Sequence, residues 1–268
     1  MKYFPVIFLV AYFSASAQDP GNLQKLSSRP FSVGETVEVH SAALNEKRVL
    51  NIYLPEGYHT DTATKHPVIY LLDGSADEDF IHIAGLAQFC SFPWVNYMRS
   101  SIVVGIANTD RKRDLTFPTT IEKDKADLPA SGGSENFIRF IEKELQPFIT
   151  SGYRTDPVKT IIGQSLGGLL ATEILLKKPH LFSHYIIVSP SLWWDNGSLL
   201  KQEPVITTDR LTVYIAVGKE GRIMERAASQ LARKLKSDHN VVSDHISGTD
   251  HANILHTAVY RAFERIYR

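Results

Sequence analysis

The sequence has a single cysteine, Cys90, in 268 residues, so the folded chain holds no internal disulfide. Its stability has to come from a packed core, which a chain of this length is able to supply. An excess of charge of one sign is also lacking. Lysine plus arginine and aspartate plus glutamate number 29 each, so nothing electrostatic points to nucleic acid or an acidic membrane surface as a partner. There is no H-E-x-x-H, no P-loop and no cysteine/histidine ligand set, and so no motif calls for a metal or other cofactor. No repeat, low-complexity tract or linker divides the chain. The apolar run from Tyr3 to Phe13 falls short of the roughly 20 residues that span a bilayer.

That run has another reading. Lys2 precedes it, and Ala15-Ser16-Ala17 follows as a small-residue cleavage site before Gln18. The order is that of a signal peptide over residues 1–17, which implies export to the periplasm or the medium, with 18–268 as one domain. No cysteine follows the cleavage site, so no lipid anchor is expected there. Cys90 closes the apolar stretch Leu86-Ala87-Gln88-Phe89-Cys90 and reads as a buried thiol packed as a small hydrophobe.

Residues 35–41 and 48–54 alternate apolar and polar side chains as half-buried antiparallel strands do, with Asn45-Glu46-Lys47 as the turn. Residues 67–72, 101–106, 159–162, 184–188 and 211–217 are continuous apolar runs, the mark of strands buried on both faces. Helical spacing appears between them. Over residues 136–149 it puts Phe137, Ile141, Leu145 and Phe148 on one face, and 166–178, 222–236 and 252–267 are further candidates. The alternation predicts an α/β fold, a mixed but mostly parallel sheet with helices on both faces. Residues 108–133 and 190–208 are long connections after parallel strands, where open α/β sheets place their ligands.

The chemistry centres on Gly163-Gln164-Ser165-Leu166-Gly167, followed by Gly168. An apolar strand runs into the motif and an apolar helix leaves it, which is the setting of a nucleophile elbow. Glycines two residues either side of the serine allow its strained turn. That turn puts the hydroxyl at a helix N-terminus, where the Leu166 N–H is aimed at a developing oxyanion.

A serine nucleophile needs a base, and in this fold the order along the chain is Ser, acid, His. Of the six histidines beyond Ser165, His180, His184, His239, His245 and His256 fall at a helix end, in or beside strands, in a turn and within a helix. His251 instead lies in the polar loop Ser247-Gly248-Thr249-Asp250-His251, between the last strand and the last helix. It is therefore the expected base. Glu220 leads as the acid, with Glu225 and Asp195 as alternatives. The second oxyanion donor is expected after the third strand, from Ser75 or Gly74 in Leu72-Asp73-Gly74-Ser75. Trp193 and Trp194 could wall a binding site or cover the core. Arg111, Lys112 and Arg113 could attract an anionic substrate or sit in a solvated loop, and Arg113 is taken as the binding candidate.

With these residues placed, the chain resembles the Putative esterase (esterase D-like) family of α/β hydrolases, and within it the bacterial siderophore trilactone esterase-like subgroup. The matching segments are Tyr70-Leu71-Leu72-Asp73-Gly74, Arg113-Asp114-Leu115-Thr116, residues 133–147, 162–168 and 217–220, Ser189-Pro190-Ser191-Leu192-Trp193-Trp194, and Asp250-His251. The resemblance implies hydrolysis of a small-molecule ester, with Ser165 as nucleophile and His251 as base and no cofactor needed; carbohydrate-linked, aryl and siderophore-type esters are all open as substrates. Relatives often carry Gly-x-x-Glu after this strand, whereas here Glu220 comes one residue early and Gly221 takes the last place. Acyl transfer would use the same residues, and a non-catalytic binding protein on this fold is a third class.

Overall fold

The computed structural model describes residues 25–205, 207 and 209–267. The leader expected over residues 1–17 lies outside them. Residues 25–32 carry neither helix nor strand, and the architecture belongs to residues 33–268.

The chain begins with a hairpin, β1 (Glu35–Ser41) and β2 (Glu46–Tyr53), followed by β3 (His66–Leu71), α1 (Phe80–Cys90) and β4 (Ile102–Ile106). The hairpin turn is residues 42–45 rather than 45–47. Ser41 pairs with Glu46, and Asn45 supplies the left-handed residue (φ 53°) that closes the turn. Two short helices, α2 (Arg111–Asp114) and α3 (Glu122–Asp127), lie within the first long connection. Next come α4 (Ser134–Phe140), a π-helical turn (Ile141–Leu145) and α5 (Gln146–Gly152). The π turn advances the buried phase by one residue, so Ile149 is fully buried while Phe148 is 40% exposed.

The second half alternates regularly: β5 (Thr155–Gln164), α6 (Leu166–Lys177), a 3₁₀ turn (Pro179–Leu181), β6 (His184–Val188), α7 (Trp194–Lys201), β7 (Thr212–Val217), α8 (Arg222–Leu235), β8 (Asn240–His245) and α9 (Ile254–Ile266). The eight strands form one sheet in the order β1-β2-β4-β3-β5-β6-β7-β8. The pairs β1/β2 and β2/β4 are antiparallel and all others parallel.

Both faces of the parallel strands are covered, which explains their unbroken apolar runs. Val68, Tyr70 and Ile161 belong to the core on one side with Phe137, Leu169 and Leu231. Ile69, Leu71 and Ile162 belong to the other with Ile83 of α1 and Val259 of α9. Cys90 is fully buried in that second core, and burial pushes its thiol up to about 11, so it is protonated at neutral pH. No helix among the described residues is long and apolar enough to cross a membrane.

Candidate active site

Ser165 sits between β5 and α6 with φ 59° and ψ −118°, a strained conformation for a residue with a side chain. A Cβ at Gly163 would come within 2.4 Å of the Gly167 carbonyl oxygen, and one at Gly167 within 3.3 Å of Asp73 Oδ2. The first glycine is therefore the stricter requirement. The turn is tied down by its backbone. The Ser165 N–H donates to Val188 O (3.1 Å), and its carbonyl accepts from the N–H groups of Leu169 (2.9 Å) and Ser191 (3.0 Å). Ser165 Oγ is 3.3 Å from Ser191 Oγ.

The loops after β7 and β8 meet beside it. Gly218 packs against Thr249, whose carbonyl oxygen would lie 2.7 Å from a Cβ there, and the Lys219 N–H donates to that same oxygen at 2.8 Å. This contact brings Glu220 to His251, with Nδ1 and Oε2 2.6 Å apart. The Glu220 side chain is only 2% exposed. Its Oε1 accepts from the Gly218 N–H (3.0 Å) and from the Ser189 hydroxyl. A carboxylate held this way fixes the ring and makes Nδ1 the protonated nitrogen, leaving Nε2 as the free base. The Gln164 side-chain amide donates to the His251 carbonyl at 2.5 Å, tying the histidine loop to the residue before Ser165. No hydrogen bond joins Ser165 Oγ to the imidazole, but both residues line the same two cavities.

One cavity, of about 460 Å³, is completed by Ser191, Trp193, Lys219, Glu220, Met224, Asp250 and Ala252. The other, of about 410 Å³, is completed by Asp73, Glu78, Asp79, Arg111 and Gln164.

The two alternative acids are committed elsewhere. Glu225 Oε1 accepts from the N–H groups of Glu220 (3.1 Å) and Gly221 (3.0 Å) at the start of α8. Asp195 Oδ1 accepts from the Thr119 hydroxyl (3.0 Å), the Thr120 N–H (2.8 Å) and the Thr120 hydroxyl (3.0 Å). Burial alone would raise the Asp195 carboxyl, but hydrogen bonds from Thr120, Ser198 and Thr119 outweigh it and lower the pKa.

Four expected site residues, Gly74, Arg113, Trp194 and Ser75, are placed differently. The Gly74 N–H donates to Ile106 O at 3.0 Å, so it is not free for an oxyanion. Gly74 has a structural reason to be glycine, since a Cβ would lie 2.4 Å from Gly105 Cα. Arg113 lines neither cavity. Its guanidinium is held by Glu46 (2.6 and 3.1 Å) and Asp114 (2.7 Å), in a network where Arg48 also bonds Asp114 at 2.6 Å. Those bonds push the Arg113 pKa further up, fastening α2 to β2. Trp194 is fully buried, with Nε1 donating to Phe117 O at 2.9 Å. It closes the core and has no face for a ligand.

Their neighbours occupy the site. Trp193, 42% exposed, lines the larger cavity, and Arg111 lines the smaller. Leu166 opens α6, where a helix has no internal acceptor for its N–H. Ser75 lines neither cavity; in the same turn it is Asp73, with φ 56°, that does. Asp73, Glu78 and Asp79 were given no role by the sequence reading. Their signal was the acid-rich stretch Asp77-Glu78-Asp79 just past the C-terminal end of β3, the usual ligand end of such sheets.

The Putative esterase family model matches residues 41–253. Ferri-bacillibactin esterase BesA of Bacillus subtilis is 30% identical, over 88% of this chain and 91% of its own. An IroE-like serine hydrolase from Shewanella oneidensis superimposes with a TM-score of 0.80 at 30% identity, over 87% of this chain and 80% of that one. The BES protein from Bacillus cereus gives 0.78 at 26% identity, over 92% and 99%. The chain belongs to the Putative esterase family of α/β hydrolases and is a carboxylic ester hydrolase.

Proposed function

We propose that the protein is an exported serine esterase that cleaves siderophore-type lactone or aryl esters through an acyl-enzyme on Ser165. His251 Nε2 takes the Ser165 proton as Oγ attacks the ester carbonyl, and Glu220 holds the imidazole and balances the positive charge it gains. The Leu166 N–H and the backbone N–H of Asp73 or Ser75 stabilise the oxyanion; Asp73 is the residue of that turn lining the cavity. The alcohol leaves with the proton from His251. Water activated by the same nitrogen then releases the acid and restores Ser165.

The observation that carries this reading is the buried Glu220 carboxylate 2.6 Å from His251 Nδ1, in a cavity shared with Ser165. The substrate class rests on relatives. The Bacillus subtilis protein is named a ferri-bacillibactin esterase, and an Escherichia coli relative, 26% identical over 69% of this chain, an apo-salmochelin esterase. Export rests on the leader pattern of residues 1–17.

The test is mass-spectrometric analysis of siderophore trilactones and aryl esters incubated with the purified chain. The wild type is expected to open a trilactone to a linear hydroxy acid one water heavier and to split an aryl ester into its acid and alcohol, and Ser165→Ala to do neither. A folded wild type that opens none of these esters, or a Ser165→Ala variant as fast as wild type, contradicts the proposal.

A further inference from the structure

The smaller cavity holds an unusual charge arrangement. Asp73 spends both carboxylate oxygens on Arg111, with Oδ1 on Nε at 2.6 Å and Oδ2 on Nη2 at 2.9 Å. The one guanidinium in the lining is thus matched already. Glu78 accepts only from the neutral Asn108 amide, at 3.0 and 3.1 Å. Asp79 is half-buried at the start of α1, and its carboxyl takes no hydrogen bond and forms no ion pair among the described residues. Three carboxylates therefore face one cation, beside Ser165 and His251.

We infer that this cavity selects the charge of the ester: it favours substrates whose arm carries an ammonium group, accepts neutral arms and turns away anionic ones, with Asp79 as the specificity-determining residue. The inference rests on the proposed esterase reading and names the substrate class of that site. An unpaired carboxyl in a partly desolvated wall is costly to the folded protein, and an ammonium donor relieves that cost. Burial, with Asp73 and Glu78 nearby, raises Asp79 to about 6, and His82 and Arg111 only partly offset them. His82 in turn meets His256 edge to face, with ring centroids 4.6 Å apart, and His251 lines the cavity. At pH 7.5 Asp79 is ionised and ready for a cation.

The experiment compares kcat/KM for size-matched ammonium, neutral and sulfonate esters at pH 7.5, with the charge on the acyl arm in one series and the alcohol arm in another. In at least one series wild type should prefer ammonium to neutral by roughly three- to tenfold, as for one charge pair near a protein surface, with sulfonate last. Asp79→Asn should remove most of that ratio and Glu78→Gln a smaller part, each ratio being taken within one variant. Should Asp79→Asn not fold, Glu78→Gln and the wild-type ranking still decide. A wild type indifferent to charge in both series, or one preferring sulfonate, overturns the inference while leaving the esterase reading intact. Absence of turnover on every ester, neutral ones included, refutes the esterase reading and this inference with it.

Discussion

The two cavities that Ser165 lines differ in how their polar groups are satisfied. In the larger, Glu220 has a partner for each oxygen and the loop backbones are bonded together. In the smaller, one carboxyl has no donor among the described residues and a second is held there only by a neutral amide. On the proposed mechanism the first arrangement holds the His251 imidazole in place before the substrate arrives, as transition-state stabilisation requires. The second leaves free energy to be recovered on binding, as recognition requires. On the proposed reading, the satisfied carboxylate serves the chemistry and the unsatisfied ones serve selection, in two cavities that share Ser165 and His251.

Breaking the satisfied arrangement should have the largest effect. Glu220→Gln keeps the size of the side chain but removes its charge and allows the wrong imidazole tautomer, so kcat should fall about 10²–10⁴-fold with little change in KM. Steady-state kinetics on a neutral activated ester checks this. A loss below about fivefold would mean that Ser165 and His251 work without the acid.

The adjacent tryptophans sharpen the contrast between support and contact. Trp194→Ala should cost about 3–5 kcal/mol in denaturant unfolding, because it empties a fully buried site and orphans Phe117 O. Trp193→Ala should cost under about 1 kcal/mol, since its ring is substantially exposed. Its effect should appear in KM for aryl esters. Equal stability losses would erase the distinction.

The smallest effect is expected in the unsatisfied arrangement. Asp79 has a folded-state pKa near 6 against an ordinary 3.8, because burial and neighbouring carboxylates disfavour its charge. Its contribution to stability is full below the lower value and lost as pH rises through the upper one. Asp79→Asn should therefore unfold later than wild type above pH 7, by about 1 kcal/mol after solvent screening. The advantage should vanish near pH 4. Chemical denaturation at the two pH values measures it, and a variant less stable at both would count against an unpaired charge.

The sheet was legible because strands buried on both faces read as unbroken apolar runs, and β6 was found to the residue. α1 was not, because its apolar residues lack a clean helical stripe, and the π turn after α4 displaced the expected face from Phe148 to Ile149. The chain order of Ser165, Glu220 and His251 was readable because each follows a parallel strand. Whether Glu220 or Glu225 reaches the histidine was not, since the choice rests on how Gly218 packs against Thr249. Arg111 versus Arg113 and Trp193 versus Trp194 were undecidable for a similar reason. Irregular loops have no periodicity to say which neighbour faces inward. Asp79 escaped notice because an acidic run usually marks a solvated face, and only its position beside Ser165 gives it meaning.

The central claim is that Ser165 is a nucleophile activated by a preassembled base. The most direct measurement is intact-mass analysis after treatment with a fluorophosphonate, followed by peptide mapping. One adduct on Ser165 is expected in wild type, none in Ser165→Ala, and markedly slower formation in Glu220→Gln. A folded wild type that stays unlabelled, or an adduct that persists in Ser165→Ala, would contradict the account.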